Sequence, residues 1–111
     1  MVAHRDCSDI TDATIGQLVA NTTNLVQANF QNVTDLSDDT VYPLVRFNKE
    51  LRGLNLHGCV KLTDRVVRGI AQHCMNLLHL DMHGCVHITD RALLVRVNGL
   101  CAFGNGFWQR A

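Results

Sequence analysis

Two tripeptides set an imidazole beside a thiol: His57-Gly58-Cys59 and His83-Gly84-Cys85. Cysteine with histidine is the raw material of a thiolate nucleophile, which needs its base within hydrogen-bond reach. The local geometry works against that pairing. With a glycine turn between them, the histidine is expected to point outward and the cysteine into the core. His73 and Cys74 are adjacent and diverge on a helix. A second constellation, His57 and His83 with Asp81 or His79, offers imidazole and carboxylate donors of the kind zinc takes. An open, shallow surface with nothing to order a second shell weakens the metal reading. Four aspartates, Asp12, Asp38, Asp64 and Asp90, stand in equivalent positions. Helix starts in adjacent units lie about 10 Å apart, so these carboxylates are read as helix caps, not as an acid–base pair.

What must position these residues is a repeat. Leu54-Asn55-Leu56-His57-Gly58-Cys59 returns as Leu80-Asp81-Met82-His83-Gly84-Cys85, 26 residues later. A fixed period of that length means one supersecondary unit stacked on copies of itself. Ile10, Leu36, Leu62 and Ile88 share a column, followed by Thr11, Ser37, Thr63 and Thr89, and then by the four aspartates. Units therefore start near residues 7, 33, 59 and 85.

Each unit has two halves. Leu51-x-x-Leu54-x-Leu56 and Leu77-x-x-Leu80-x-Met82 end in the alternation of a short strand with one buried face; Leu25-x-x-Ala28-x-Phe30 is the looser version. Gly58 and Gly84 suit a turn closed to other residues. Thr-Asp then opens a helix, whose buried stripe is Val66, Val67, Ile70, Ala71 and Cys74 in one unit and Ile15, Leu18 and Val19 in the first. Repeated βα units place their strands in parallel with the helices outside. The remaining strand positions, Gln27, Asn29 and Gln31, Gly53, Asn55 and His57, and His79, Asp81 and His83, then form a polar strip on the strand side.

Composition narrows the function classes. Zero net charge over 111 residues argues against a strongly basic nucleic-acid binder. Residues 1–43 carry a net charge of −5 and residues 44–111 a net of +5; chance is the plainer reading of this split, and a head-to-tail contact or an acidic partner at the C-terminal end the sharper one. Lys61, Arg65, Arg68, Arg91 and Arg96 read as a solvated helix face. Five cysteines, an odd number without a signal peptide, argue for reduced, buried thiols and a cytoplasmic or nuclear setting. No apolar run approaches the length of a membrane span.

The pattern LxxLxLxGCxxLTDxxVxxIAxxCxxL resembles the cysteine-containing class of leucine-rich repeats, as found in F-box/LRR ubiquitin-ligase subunits. Leu51, Leu54, Leu56, Gly58, Cys59, Leu62, Thr63, Asp64, Ile70, Cys74 and Leu77 carry the match. Leu80, Gly84, Cys85, Ile88, Thr89 and Asp90 continue it, while residues 7–50 match loosely. Unit two departs from the pattern, with Val33 and Asn48 in place of its two cysteines. Pro43 falls where Gly69 stands in the next unit, and a helix interior would carry it at a cost of roughly 3 kcal/mol; a shorter helix starting at Pro43 avoids that. Six residues precede Cys7, too few for an F-box. The expectation is a fragment, a truncated isoform, a divergent small relative, or a chain completed by a partner.

The resemblance implies an α/β right-handed leucine-rich-repeat solenoid, a single domain over residues 1–111, with parallel strands on the concave face and helices on the convex face. Residues 102–111 are expected to form an irregular tail, in which Phe103, Phe107 and Trp108 either cover the end of the stack or stay loose. The function it implies is non-enzymatic protein–protein recognition, as the substrate-recognition part of an F-box/LRR-type adaptor in ubiquitin-dependent degradation. Asn29, Asn55, His57, His79, Asp81 and His83 are the expected partner-binding residues on the concave face. A scaffold or regulatory protein unrelated to ubiquitin and a metal-binding protein using the histidine cluster are the alternatives. No cofactor, nucleic acid or membrane is expected.

Overall fold

The 26-residue period of the sequence is the register of a sheet. Strands β1 (Gln27–Asn29), β2 (Gly53–Asn55) and β3 (His79–Asp81) run parallel, with Gln27, Gly53 and His79 paired in one row. Ala28, Leu54 and Leu80 form the next row, and Asn29, Asn55 and Asp81 the third. The computed structural model describes residues 13, 16–17 and 22–89, and the backbone of two further strands, β4 (Leu100–Ala102) and β5 (Phe107–Arg110). The expectations for Cys7, Asp12, the Ile15, Leu18 and Val19 stripe, Asp90, Arg91, Arg96 and Phe103 lie outside the described residues.

Helix α1 (Asp38–Phe47) follows β1, and α2 (Asp64–His73) follows β2. Between sheet and helices lies a core built in columns: Leu25, Leu51 and Leu77; Phe30, Leu56 and Met82; Val33, Cys59 and Cys85; Leu36 and Leu62. Val41, Leu44 and Val45 from α1 and Val66, Val67 and Ile70 from α2 close it. Ala71, expected in the buried stripe, is only half-buried.

The chain end departs from the expectation of an irregular tail. β5 pairs antiparallel with β3, and β4 pairs antiparallel with β5, giving the order β1-β2-β3-β5-β4. The last strand of the chain thus lies between β3 and β4, which run in the same direction, and an antiparallel pair such as β4 with β5 needs no long crossover.

Helix α1 also departs from expectation, because it does not start at Pro43. It begins at Asp38, as α2 begins at Asp64, and carries Pro43 inside. The proline removes a hydrogen bond to the Asp39 carbonyl. Asp39 and Pro43 are both exposed, so that carbonyl faces solvent. Val41, Leu44 and Val45 are buried on the other side of the same helix. Side chains of this size each contribute about 1.5–3 kcal/mol on burial, enough together to offset the proline.

The aspartate column does a different job from the one expected. The Asp38 carboxylate accepts from the Thr63 backbone N–H at 3.0 Å and from its hydroxyl at 2.5 Å. Asp64 does the same to Thr89, at 2.8 and 2.5 Å. Each aspartate therefore ties its own unit to the next one. Lys61 with Asp35 at 2.6 Å and Arg65 with Asp39 at 3.2 Å add ion pairs across the same boundary. Part of the opposite charge of the two chain halves is thus spent between unit two and unit three.

The Thr89 hydroxyl is the main cause holding the Asp64 carboxyl below its ordinary pKa, with the Thr89 N–H and the Arg68 charge adding to it. A depressed folded-state pKa contributes stability above the unfolded-state value, and that contribution disappears as pH falls through the folded value. The unfolded value for aspartate is near roughly 3.9. Urea midpoints for wild type and Asp64→Asn should therefore differ at pH 6 and converge below about pH 4. A gap that persists unchanged at pH 2.5 would rule out this carboxylate as the source.

A candidate interaction face on the open side of the sheet

The open face of the sheet is built by alternation: Ala28, Leu54 and Leu80 turn into the core, and the residues on either side of each turn away from it. All six expected site residues, Asn29, Asn55, His57, His79, Asp81 and His83, lie on this face or at its upper rim. They do not play equal parts.

The row Asn29, Asn55 and Asp81 braces the backbone. In each, Oδ1 accepts from the N–H two residues on: Gln31 at 3.1 Å, His57 at 2.9 Å and His83 at 2.9 Å. These side-chain turns fix the exit from each strand, so one oxygen of each residue is committed before any partner arrives. The remaining atoms stay on the face. Asn55 Nδ2 reaches Gln31 Oε1 at 3.4 Å, and Asp81 Oδ2 lies 3.7 Å from His57 Nδ1.

The two equivalent histidines stack. The rings of His57 and His83 have centroids 5.2 Å apart and planes 27° from parallel. Nitrogen lone pairs lie in the ring plane, so stacked rings do not aim them at a common point between the rings. Among the described residues, no three His, Cys, Asp or Glu side chains gather at a metal-holding distance.

His79 sits apart from that pair. Its ring lies over Gly53, where a Cβ would come within 2.5 Å of Nε2. Gly53 thus leaves a notch in the middle strand. With Gln27, Asn29, Asn55 and Asp81 around it and Ala28 and Leu54 below, the notch forms a groove of about 230 Å³.

The thiols face away from all of this. Cys59 and Cys85 are buried and donate to the carbonyls of Phe30 at 3.0 Å and Leu56 at 3.1 Å. Burial pushes the Cys59 thiol up to about 12 and the Cys85 thiol to about 11. Cys74 is raised to about 12 by the same cause. A nucleophile must be a thiolate, and these three thiols are held protonated. In both His-Gly-Cys tripeptides the imidazole and the thiol are on opposite sides of the sheet.

The roles of two residues escaped the sequence reading. Asn48 is fully buried: its Oδ1 accepts from Leu25 N–H at 2.9 Å, and its Nδ2 donates to the Thr22 carbonyl at 3.0 Å and the Leu44 carbonyl at 2.8 Å. A polar residue where the next unit has Cys74 was the available signal. Asn32 has a φ of 61°, matching Gly58 at 75° and Gly84 at 81°. It stands 26 residues before Gly58, and asparagine tolerates the left-handed region better than most residues.

Comparison with protein-family models and with curated proteins gave no match. Among the described residues, no helix is long and apolar enough to cross a membrane.

Proposed function

We propose that this chain is a leucine-rich-repeat module whose open sheet face recognises a protein partner, in the setting of ubiquitin-dependent degradation as the substrate-reading part of an F-box/LRR-type adaptor. The observation that carries the reading is the register. Three parallel strands repeat at the sequence period and present Asn55, His57, Asp81 and His83 side by side on the open face. Stacked βα units characteristically bind through such extended faces. The free, buried cysteines suit a reducing compartment, the cytoplasm or nucleus.

The test keeps the bracing oxygen of Asp81. His57→Ala, His83→Ala and Asp81→Asn are combined, and the tagged chain is compared with wild type by affinity capture and mass spectrometry. Partners bound through the face should fall at least about tenfold, the loss of one to two hot-spot contacts. An unchanged partner list would remove the open face from the reading. Capture of cullin-complex subunits by wild type favours the degradation setting; partners without them favour a scaffold.

A further inference from the structure

A second surface lies at the end of the molecule where each helix returns to the next strand. Four of the large apolar side chains left exposed fall in or beside these turns: Phe47 at 53%, Met75 at 63%, Val26 at 40% and Leu78 at 38%. Backbone hydrogen bonds make these turns one continuous rim. Arg52 N–H donates to the Val26 carbonyl at 2.7 Å, and Leu78 N–H to the Arg52 carbonyl at 2.7 Å. Asn76 Nδ2 donates to the Lys49 carbonyl at 3.4 Å, joining the Met75 turn to the end of α1.

Cations are set between the apolar groups. Arg46, Lys49 and Arg52 are all exposed, and none of them forms an ion pair among the described residues. Arg46 lies over the Phe47 ring at 5.4 Å, which holds the exposed phenyl in place. Glu50 is the one carboxylate on this rim among the described residues. The aspartates of unit two belong to the opposite end, where Asp35 and Asp39 pair with Lys61 and Arg65.

We propose that this rim is a docking surface, distinct from the open sheet face, for an acidic protein segment that alternates carboxylates with apolar side chains. Exposed apolar patches rimmed by polar residues mark interaction sites. An aromatic ring with an arginine stacked on it is the kind of anchor that carries interface affinity. The charge fixes the sign of the partner. An anionic lipid surface has the same sign, but basic segments that hold such surfaces carry roughly four to eight Lys or Arg. Three cations beside Glu50 fall short of that, so a protein segment is the better fit.

The probe is a fluorescein-labelled twelve-residue peptide alternating Glu with Leu and Phe, titrated into the full chain. A matching peptide with Lys in place of Glu is the control. The acidic peptide should bind with a Kd on the order of 100 μM, a weak single-segment contact, and should shift amide resonances at 46–52 and 75–78. Phe47→Ser with Met75→Ser should weaken it at least about tenfold. Both side chains are exposed, and an unchanged thermal midpoint verifies that the variant folds. Arg46→Glu with Arg52→Glu should transfer the preference to the Lys peptide. His57→Ala with His83→Ala should bind the acidic peptide as wild type does, so failure of the open-face reading and failure of this one are separable. Equal binding of the Lys peptide to wild type would overturn the proposal. So would amide shifts confined to 55–57 and 81–83, or tighter binding to phosphatidylserine-containing vesicles than to the peptide.

Discussion

Asn48→Ala should destabilise the chain by about 3 kcal/mol or more, since each buried backbone group left unsatisfied costs roughly 1–3 kcal/mol. The carboxamide serves three backbone groups, the Leu25 N–H and the carbonyls of Thr22 and Leu44. The Leu44 carbonyl keeps a second donor, the Asn48 backbone N–H at 3.1 Å. The Leu25 N–H and the Thr22 carbonyl each lose the side-chain partner that ties the entry of β1 to the end of α1. The cavity left behind adds to the loss. A chain of this size shifts its melting temperature by roughly 4–8 °C per kcal/mol, so a fall of about 10 °C or more is expected by circular dichroism. Asn48→Asp keeps the acceptor for Leu25 but loses both donations and places a charge in the core, so it should not rescue. A loss below about 1 kcal/mol would mean that water or backbone movement satisfies these groups, against the net value of such bonds.

Gly58→Ala should be almost as damaging, for two separable reasons. With φ at +75°, any side chain meets the left-handed penalty of about 1–2 kcal/mol. A Cβ there would also collide with Oδ1 of Asn32 in the neighbouring unit. Gly84 supplies the control. Its φ is +81°, but a Cβ would meet Gly58 N at 3.4 Å, so only the backbone term and a tight contact apply. Gly58→Ala should therefore cost about 1 kcal/mol more than Gly84→Ala, in the range usual for overpacking. The excess should vanish in an Asn32→Gly background. Urea denaturation of the four-member cycle measures the coupling. A Gly58→Ala cost equal to that of Gly84→Ala, and unaffected by Asn32→Gly, would show that the asparagine moves aside freely.

The two positions bear on what a repeat can and cannot announce. The period fixed which residues stand beside which: Gln27, Gly53 and His79 are equivalent in the sequence and paired in the sheet. Alternation in LxxLxL fixed the buried side of each strand, and with it the side on which Asn55, His57, Asp81 and His83 appear. Glycine at 58 and 84 was legible as a left-handed turn because few other residues occupy that region cheaply.

The uses of the polar atoms were not legible. Asn29, Asn55 and Asp81 read as face residues, yet each spends one oxygen on a backbone N–H. Asp38 and Asp64 read as caps for their own helices, yet each holds the threonine of the next unit. Asn48 read as a lapse from the cysteine pattern and is a buried three-way tie. Pro43 read as a helix start and is carried inside the helix because its side of the helix faces solvent. The antiparallel β4–β5 pair had no period to announce it.

The sequence by itself determined the unit, its length, its strand and helix halves, and the residue types of each face. These follow from backbone alternation, helical spacing and turn chemistry, all of which act within a few residues. Tertiary structure alone decided which lone pair or proton each polar side chain commits, how His79 settles over Gly53, and how β5 closes the edge of β3. Apart from the braces that Asn29, Asn55 and Asp81 make to the N–H two residues on, those outcomes depend on distances between atoms some 23 to 30 residues apart in the chain. Such distances are set only once the units are stacked.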